Sequence, residues 1–274
     1  MNIQYDWFKI LTDCKNNVKE TIKPHLKTLN EPQPDLGKGA GGDAMKPIDL
    51  AAEKAIVNTL LDHNISFSLI SEESGFEKYG NSPEDCYITI DPIDGTTNLL
   101  RGLPFYASSI AISRKPVITE VYAALVTDLY HDITYMAQEN KGAYRDGEKI
   151  KTSQVSSLQE AVLGMDLNTY KVAEIAPKLN DLIQQTKHIR HYGANALELC
   201  YVANGLTDAF VDIRGKLRTT DVAAGFLIIK EAGGLITDTN KQIVSVKLDP
   251  KQTLKFVAAG NTKIHDAILE LVKL

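Results

Sequence analysis

With 274 residues, 43% of them apolar, the chain can bury a full core as one large or two mid-sized domains, and disordered and fibrous classes are excluded. Thirty Lys and Arg against 35 Asp and Glu leave a net charge of −5, which excludes the broad positive field of a general nucleic-acid binder; any anion must be handled locally. Three scattered cysteines, Cys14, Cys86 and Cys200, exclude a disulfide frame or zinc knuckle and point to a reducing compartment, the cytoplasm by default.

Met1 to Asp13 (MNIQYDWFKILTD) lacks the basic start and apolar run of a signal peptide. No stretch reaches the about 20 apolar residues that cross a bilayer, so a soluble protein without membrane contact is expected. Ile3, Trp7, Ile10, Leu11, Cys14, Val18 and Ile22 recur at three- and four-residue spacing and predict a helix that Pro24 bends or ends. Residues 30–46 (NEPQPDLGKGAGGDAMK) are rich in Gly and Pro without apolar periodicity and predict a long loop. A second helix follows, with Pro47 in its first turn and Asp49 near its start.

From Ser66 the period changes to two, which predicts strands around Phe67–Leu69, Ile88–Ile90, Ile110–Ile112, Val121–Val126 and Ile133–Met136, a largely antiparallel sheet under the two helices. The polar stretch Lys151–Ser157 is the best domain boundary. Beyond it strands near 161–165, 209–213 and 256–259 alternate with helices near 172–185, 196–204, 222–232 and 263–273, an α/β pattern.

The densest chemical signal is YITIDPIDGTTN (87–98): a strand runs into Asp91 and Asp94, then into a Gly-Thr-Thr turn that opens a helix. Capping aspartates in a turn would look similar. Upstream, SLISEESG (68–75) ends a strand in Glu72 and Glu73, and Asp221 opens the small-residue helix TDVAAG, where it could also serve the helix dipole alone. Carboxylates gathered at strand and helix ends repel unless a cation lies between them, and an all-oxygen set suits Mg²⁺ with a substrate phosphate, which amides at 95–97 could receive.

SEESG, DPIDGTTN and TDVAAGFLIIKEAGG resemble the three signature blocks of the inositol monophosphatase family of Mg²⁺-dependent, lithium-sensitive sugar phosphatases. GGDAMKPIDLAAE (41–53) resembles the archaeal-type branch, whose members can act on both inositol monophosphate and fructose 1,6-bisphosphate. The chain departs from many relatives at Thr220, where they carry Trp, and in the basic loop DIRGKLRTT (212–220).

The resemblance implies a layered α/β/α/β/α sandwich: an α+β first domain (1–155) holding most metal ligands and an α/β second domain (156–274) holding Asp221 and the sugar contacts, with the site between them. Glu72, Asp91 and the Ile93 carbonyl would hold one ion, and Asp91, Asp94 and Asp221 a second. Asp43 falls where some relatives supply a mobile-loop ligand for a third. Thr96 with Glu72 would orient the attacking water, while Asp49 and Glu73 would fix ligands and accept protons. Asp94, Gly95 and Thr96 would meet the substrate phosphate, and Arg190, Asn195 and Arg214 the sugar or a second phosphate.

Hydrolysis of a small sugar or inositol phosphate, with two or three Mg²⁺ per site, in a homodimer follows from the resemblance, and the cysteines keep the cytoplasm as the expected compartment. The alternatives are a 3′-phosphoadenosine 5′-phosphate phosphatase, for which no adenine pocket is visible, and a phosphosugar-binding regulator without catalysis, which would not need Thr96. GKGAGG (37–42) spells a dinucleotide fingerprint, with Asp62 downstream, but no apolar strand precedes it, so a gate over the site is the better expectation. His188 and His191 read as surface groups.

Overall fold

The computed structural model describes residues 5–29, 31, 34–168 and 171–272. The first helix forms as α1 (Trp7–Lys27) and buries Trp7, Ile10, Leu11, Cys14, Val18 and Ile22; Ile3 lies outside the described residues. The Asp6 carboxylate caps it by accepting the Lys9 amide at 3.3 Å. Pro24 does not end it: in the last turn a proline costs one hydrogen bond, after the buried stripe is already complete at Ile22. α2 (Pro47–Asp62) has proline in its first turn, as expected, and packs along α1.

Eight strands follow, β1 (Phe67–Ser71), β2 (Gly75–Tyr79), β3 (Tyr87–Asp94), β4 (Ala107–Ser113), β5 (Val121–Asp128), β6 (Ile133–Gln138), β7 (Gly142–Arg145) and β8 (Glu148–Lys149), with the short helix α3 (Thr96–Leu100) after β3. They form one sheet of order β2-β1-β3-β4-β5-β6-β7-β8, antiparallel except between β1 and β3. Alternation divides its side chains: Leu69, Ile88, Ile90, Ile110 and Leu125 join the core of α1 and α2, while Ile70, Ala111, Ala124, Val126 and Tyr135 join a second core on the other face.

The rest of the chain forms β9 (Val162–Met165), α4 (Val172–Gln185), β10 (His188–Arg190), α5 (Asn195–Ala203), β11 (Ala209–Asp212), α6 (Thr219–Glu231), β12 (Leu235–Thr237), β13 (Phe256–Ala259) and α7 (Thr262–Leu271). Lys273, expected at the end of the last helix, lies outside the described residues. The strands make a mixed sheet of order β10-β9-β11-β13-β12. Phe210, Phe256 and Ala258 share the second core with α5 and α6, whereas Leu163, Val211 and Val257 pack with α4 and α7. The layers are therefore α/β/α/β/α, with α5 and α6 between the sheets. Among the described residues no helix is long and apolar enough to cross a membrane.

Candidate active site

Parallel pairing places the acidic groups. β1 and β3 lie side by side with Ser71 opposite Ile90, so the chain leaves β1 at Glu72 beside Asp91. The β3–β4 register then shifts between Asp91 and Asp94, around Pro92, which has no N–H to give to a ladder. Gly95 makes the turn into α3 at φ +88°, and a Cβ there would stand 2.8 Å from the Phe105 carbonyl oxygen. Asp221 arrives from the first turn of α6, where its Oδ2 accepts the Arg218 amide at 2.7 Å. Capping and site placement are thus both true of this residue.

One ligand atom each from Glu72, Asp91 and Asp221 lies within 4.8 Å of the others. Asp94 and Ile93 line the same cavity, and Asp94 is tied to α5 through the Ala196 amide at 2.7 Å from its Oδ2. Burial pushes the Glu72 carboxyl up to about 8; repulsion from Asp221 adds to this and Arg218 opposes it. Burial and then Asp221 push Asp94 up to about 8. Asp91 stands well above the usual carboxylate range through burial, then Glu72, Asp94 and Asp221. A hard divalent cation removes such repulsion, and the all-oxygen donor set fits Mg²⁺ chemistry.

Thr96 Oγ1 donates to the Ile93 carbonyl at 2.9 Å and stands 3.4 Å from Asp49 Oδ1. Burial raises Asp49 to about 7 and Glu73 to about 7, in Glu73 with repulsion from Asp49 and Glu53. Beneath them Glu53 accepts from the Ser71 hydroxyl and from the Ser74 amide at 3.3 Å, fixing the turn that carries Glu72 and Glu73. Glu53 was not singled out in the sequence; its signal was a carboxylate one turn after Asp49 on an otherwise apolar face.

The opposite wall of this cavity, about 690 Å³ in volume, includes Asp166, Asn168, Gly193, Asn195, Arg214 and Lys216. Among the described residues Asn195 Oδ1 is buried without a partner, which suits a substrate hydroxyl. Arg214 is not an unpaired guanidinium. Asp212 and Asp166 grip it in ion pairs and its Nη1 also donates to the Asn168 carbonyl at 3.1 Å. Arg214→Ala should therefore cost about 3–5 kcal/mol by stranding buried carboxylates, and calorimetry should show a loss of about 10 °C in Tm.

Arg190 is not brought to the site. β10 is an edge strand whose His188 and Arg190 are exposed, and among the described residues the Arg190 Nη1 donates to the adjacent Ile189 carbonyl alone. His191 is exposed, as expected, but it also bridges Glu198 at 3.2 Å and Asp166 at 3.5 Å, and the Glu198 hydrogen bond raises its pKa. Asp166 follows a strand end as Glu72 does, and that spacing was its signal in the sequence. The basic loop sends Lys216 to the cavity rim but turns Arg218 onto Glu72 at 2.6 Å and Asp43 at 2.8 Å.

Carboxylates gathered at the exit of β1, within β3 and at the start of α6 form the acidic centre of this five-layered sandwich, and its relatives put the chain in the class of the phosphoric monoester hydrolases. The family model described as "Inositol monophosphatase family" matches residues 6–273, and the chain belongs to that family. It is 32% identical to the fructose-1,6-bisphosphatase/inositol-1-monophosphatase of Thermococcus kodakarensis, covering 99% of each chain. It is also 33% identical to the bifunctional NADP phosphatase/NAD kinase of Methanococcus maripaludis, over 96% of this chain but 49% of that protein, so it spans about half that relative's length. The solved structure of an inositol monophosphatase-fructose 1,6 bisphosphatase matches with TM-score 0.84 at 30% identity, covering 97% of this chain and 100% of that one.

Proposed function

We propose that the protein hydrolyses phosphate monoesters of small sugars and polyols, fructose 1,6-bisphosphate and inositol 1-phosphate foremost, with Mg²⁺ as the cation. The observation that carries this reading is the convergence of Glu72, Asp91 and Asp221 beside Thr96. Glu72, Asp91, Asp221, Asp94 and the Ile93 carbonyl would hold two ions, with Asp43 available to a third. Such ions lower the pKa of water and offset charge on the phosphate and leaving group. Thr96 Oγ1, anchored on Ile93, orients the attacking water for in-line displacement. The water passes its proton to Thr96 Oγ1 as the Thr96 hydroxyl proton turns from the Ile93 carbonyl to Asp49 Oδ1, 3.4 Å away, and Asp49, raised to about 7 by burial, holds it. Asn195 takes a sugar hydroxyl. The division near residue 155, from the polar stretch before it, a cytoplasmic location, from the scattered cysteines, and a homodimer, on family resemblance, belong to the same proposal.

Because Arg214 is already paired, selectivity for a second phosphate falls to Lys216 and Lys251 at the rim. Phosphate release should be measured with and without Mg²⁺ on fructose 1,6-bisphosphate, inositol 1-phosphate, 3′-phosphoadenosine 5′-phosphate and NADP. The expected result is Mg²⁺-dependent turnover of the first two, with Lys251→Ala lowering kcat/KM at least threefold on the bisphosphate and leaving the monophosphate within twofold. Preference for either nucleotide would replace the sugar-phosphate assignment, and no release from any would remove the hydrolase reading.

A further inference from the structure

The Gly-rich segment that spells a nucleotide-like fingerprint lies as a strap across the exit of β1. The Ala40 amide donates to the Glu73 carbonyl at 2.9 Å and the Gly41 amide to the Glu72 carbonyl at 2.8 Å. The glycines are there for contact distance: a Cβ on Gly39 would stand 3.0 Å from the Glu72 carbonyl oxygen, and one on Gly41 would stand 2.6 Å from Arg218 Nη1. Arg218 closes the arrangement from the other half of the chain. Its Nη1 donates to the Gly41 carbonyl at 3.0 Å and to Asp43 Oδ2 at 2.8 Å, its Nη2 donates to Glu72 Oε1 at 2.6 Å, and its Nε lies 3.8 Å from Asp221 Oδ2.

The guanidinium itself is held in place. Arg218 is the N-cap residue of α6, its amide bound by Asp221, and its backbone bridges to Thr253. A planar fork with donors on several edges can join strap and carboxylate at once, which a lysine ammonium on a flexible stem cannot do with the same geometry.

We propose that Arg218 is a positioning residue that ties the strap of residues 39–43 to the carboxylate centre, so that strap position and cation binding are coupled through one guanidinium. The proposal rests on the reading of Glu72 and Asp221 as cation ligands. It assigns Arg218 two separable contributions: the fork holds the strap, and the positive charge beside Glu72 weakens cation binding.

Hydrogen exchange of the 39–43 segment and calorimetric Mg²⁺ binding, both without substrate, test it. Arg218→Gln should speed strap exchange at least tenfold and tighten Mg²⁺ binding at least threefold. Arg218→Lys should keep Mg²⁺ affinity within twofold of wild type while its strap exchanges as fast as in Arg218→Gln. Asp43→Asn, which cuts the same link from the strap side, should also speed exchange and serves if the Arg218 variants fail to fold. Strap exchange unchanged in the variants that fold, or weaker Mg²⁺ binding in Arg218→Gln, would overturn the proposal. Since neither readout uses substrate, failure of the phosphatase reading would show separately, as absent turnover with the strap results intact.

Discussion

Asp94→Asn should lower kcat/KM for fructose 1,6-bisphosphate by about 100-fold or more, with the protein still folded. The substitution removes one charge from the cavity at constant volume, and under the proposed assignment it takes away a direct cation ligand, whose loss costs several kcal/mol of transition-state stabilisation, of which about 2.7 already gives 100-fold. The fold should survive because the asparagine oxygen can still accept the Ala196 amide that Asp94 Oδ2 holds at 2.7 Å. Phosphate release and a thermal melt on the same sample separate the two effects. Activity above a tenth of wild type would show that Asp94 does not ligate a cation needed for turnover.

The second large effect concerns the metal-free protein, which should lose about 10 °C in Tm between pH 5 and pH 8 and regain it with saturating Mg²⁺. A carboxyl whose folded pKa is raised contributes stability that is present below its unfolded pKa and lost as pH rises toward the folded value. Burial takes Asp49 from 3.8 to about 7, and the part of that shift lying above pH 5 is worth roughly 3 kcal/mol at 1.4 kcal/mol per unit. Glu73, Glu72 and Asp94 shift the same way, but as neighbours they titrate together and do not simply add. Asp132 and Asp249, held below the ordinary range by lysine hydrogen bonds and, in Asp249, first by the Lys251 amide, lose their contribution only at lower pH. Mg²⁺ at 100 times its Kd adds about 2.7 kcal/mol to the folded state. A Tm in chelator that is flat over this range would show that the carboxylates are not repelling one another as their burial implies.

The parts legible in the sequence were those with a local cause. Trp7 to Ile22 announce a helix by period, and Asp91 and Asp94 announce a site because a strand must end where Pro and Gly interrupt it. β10 and β12, three residues each, are too short to show a period of two. The role of Arg214 was hidden for another reason. Its partner Asp212 is two positions away, but Asp166 reaches it only after β9 and β11 pair side by side. The strap was visible as a loop, and its seat on Glu72 and Glu73 was not, since that contact joins segments some thirty positions apart.

α6 lies in the middle layer against β4, β5 and β6 on one side and near β12 on the other, and it also carries Asp221. Cutting the chain near residue 155 would leave the first sheet with Ala107, Ala111, Ala124, Val126 and Tyr135 facing water instead of that helix. The two halves therefore cannot be exchanged as separate modules between proteins. A chimera must bring the helix and the sheet that receives it together, and melting of this helix removes the core and one of the proposed cation ligands in one event.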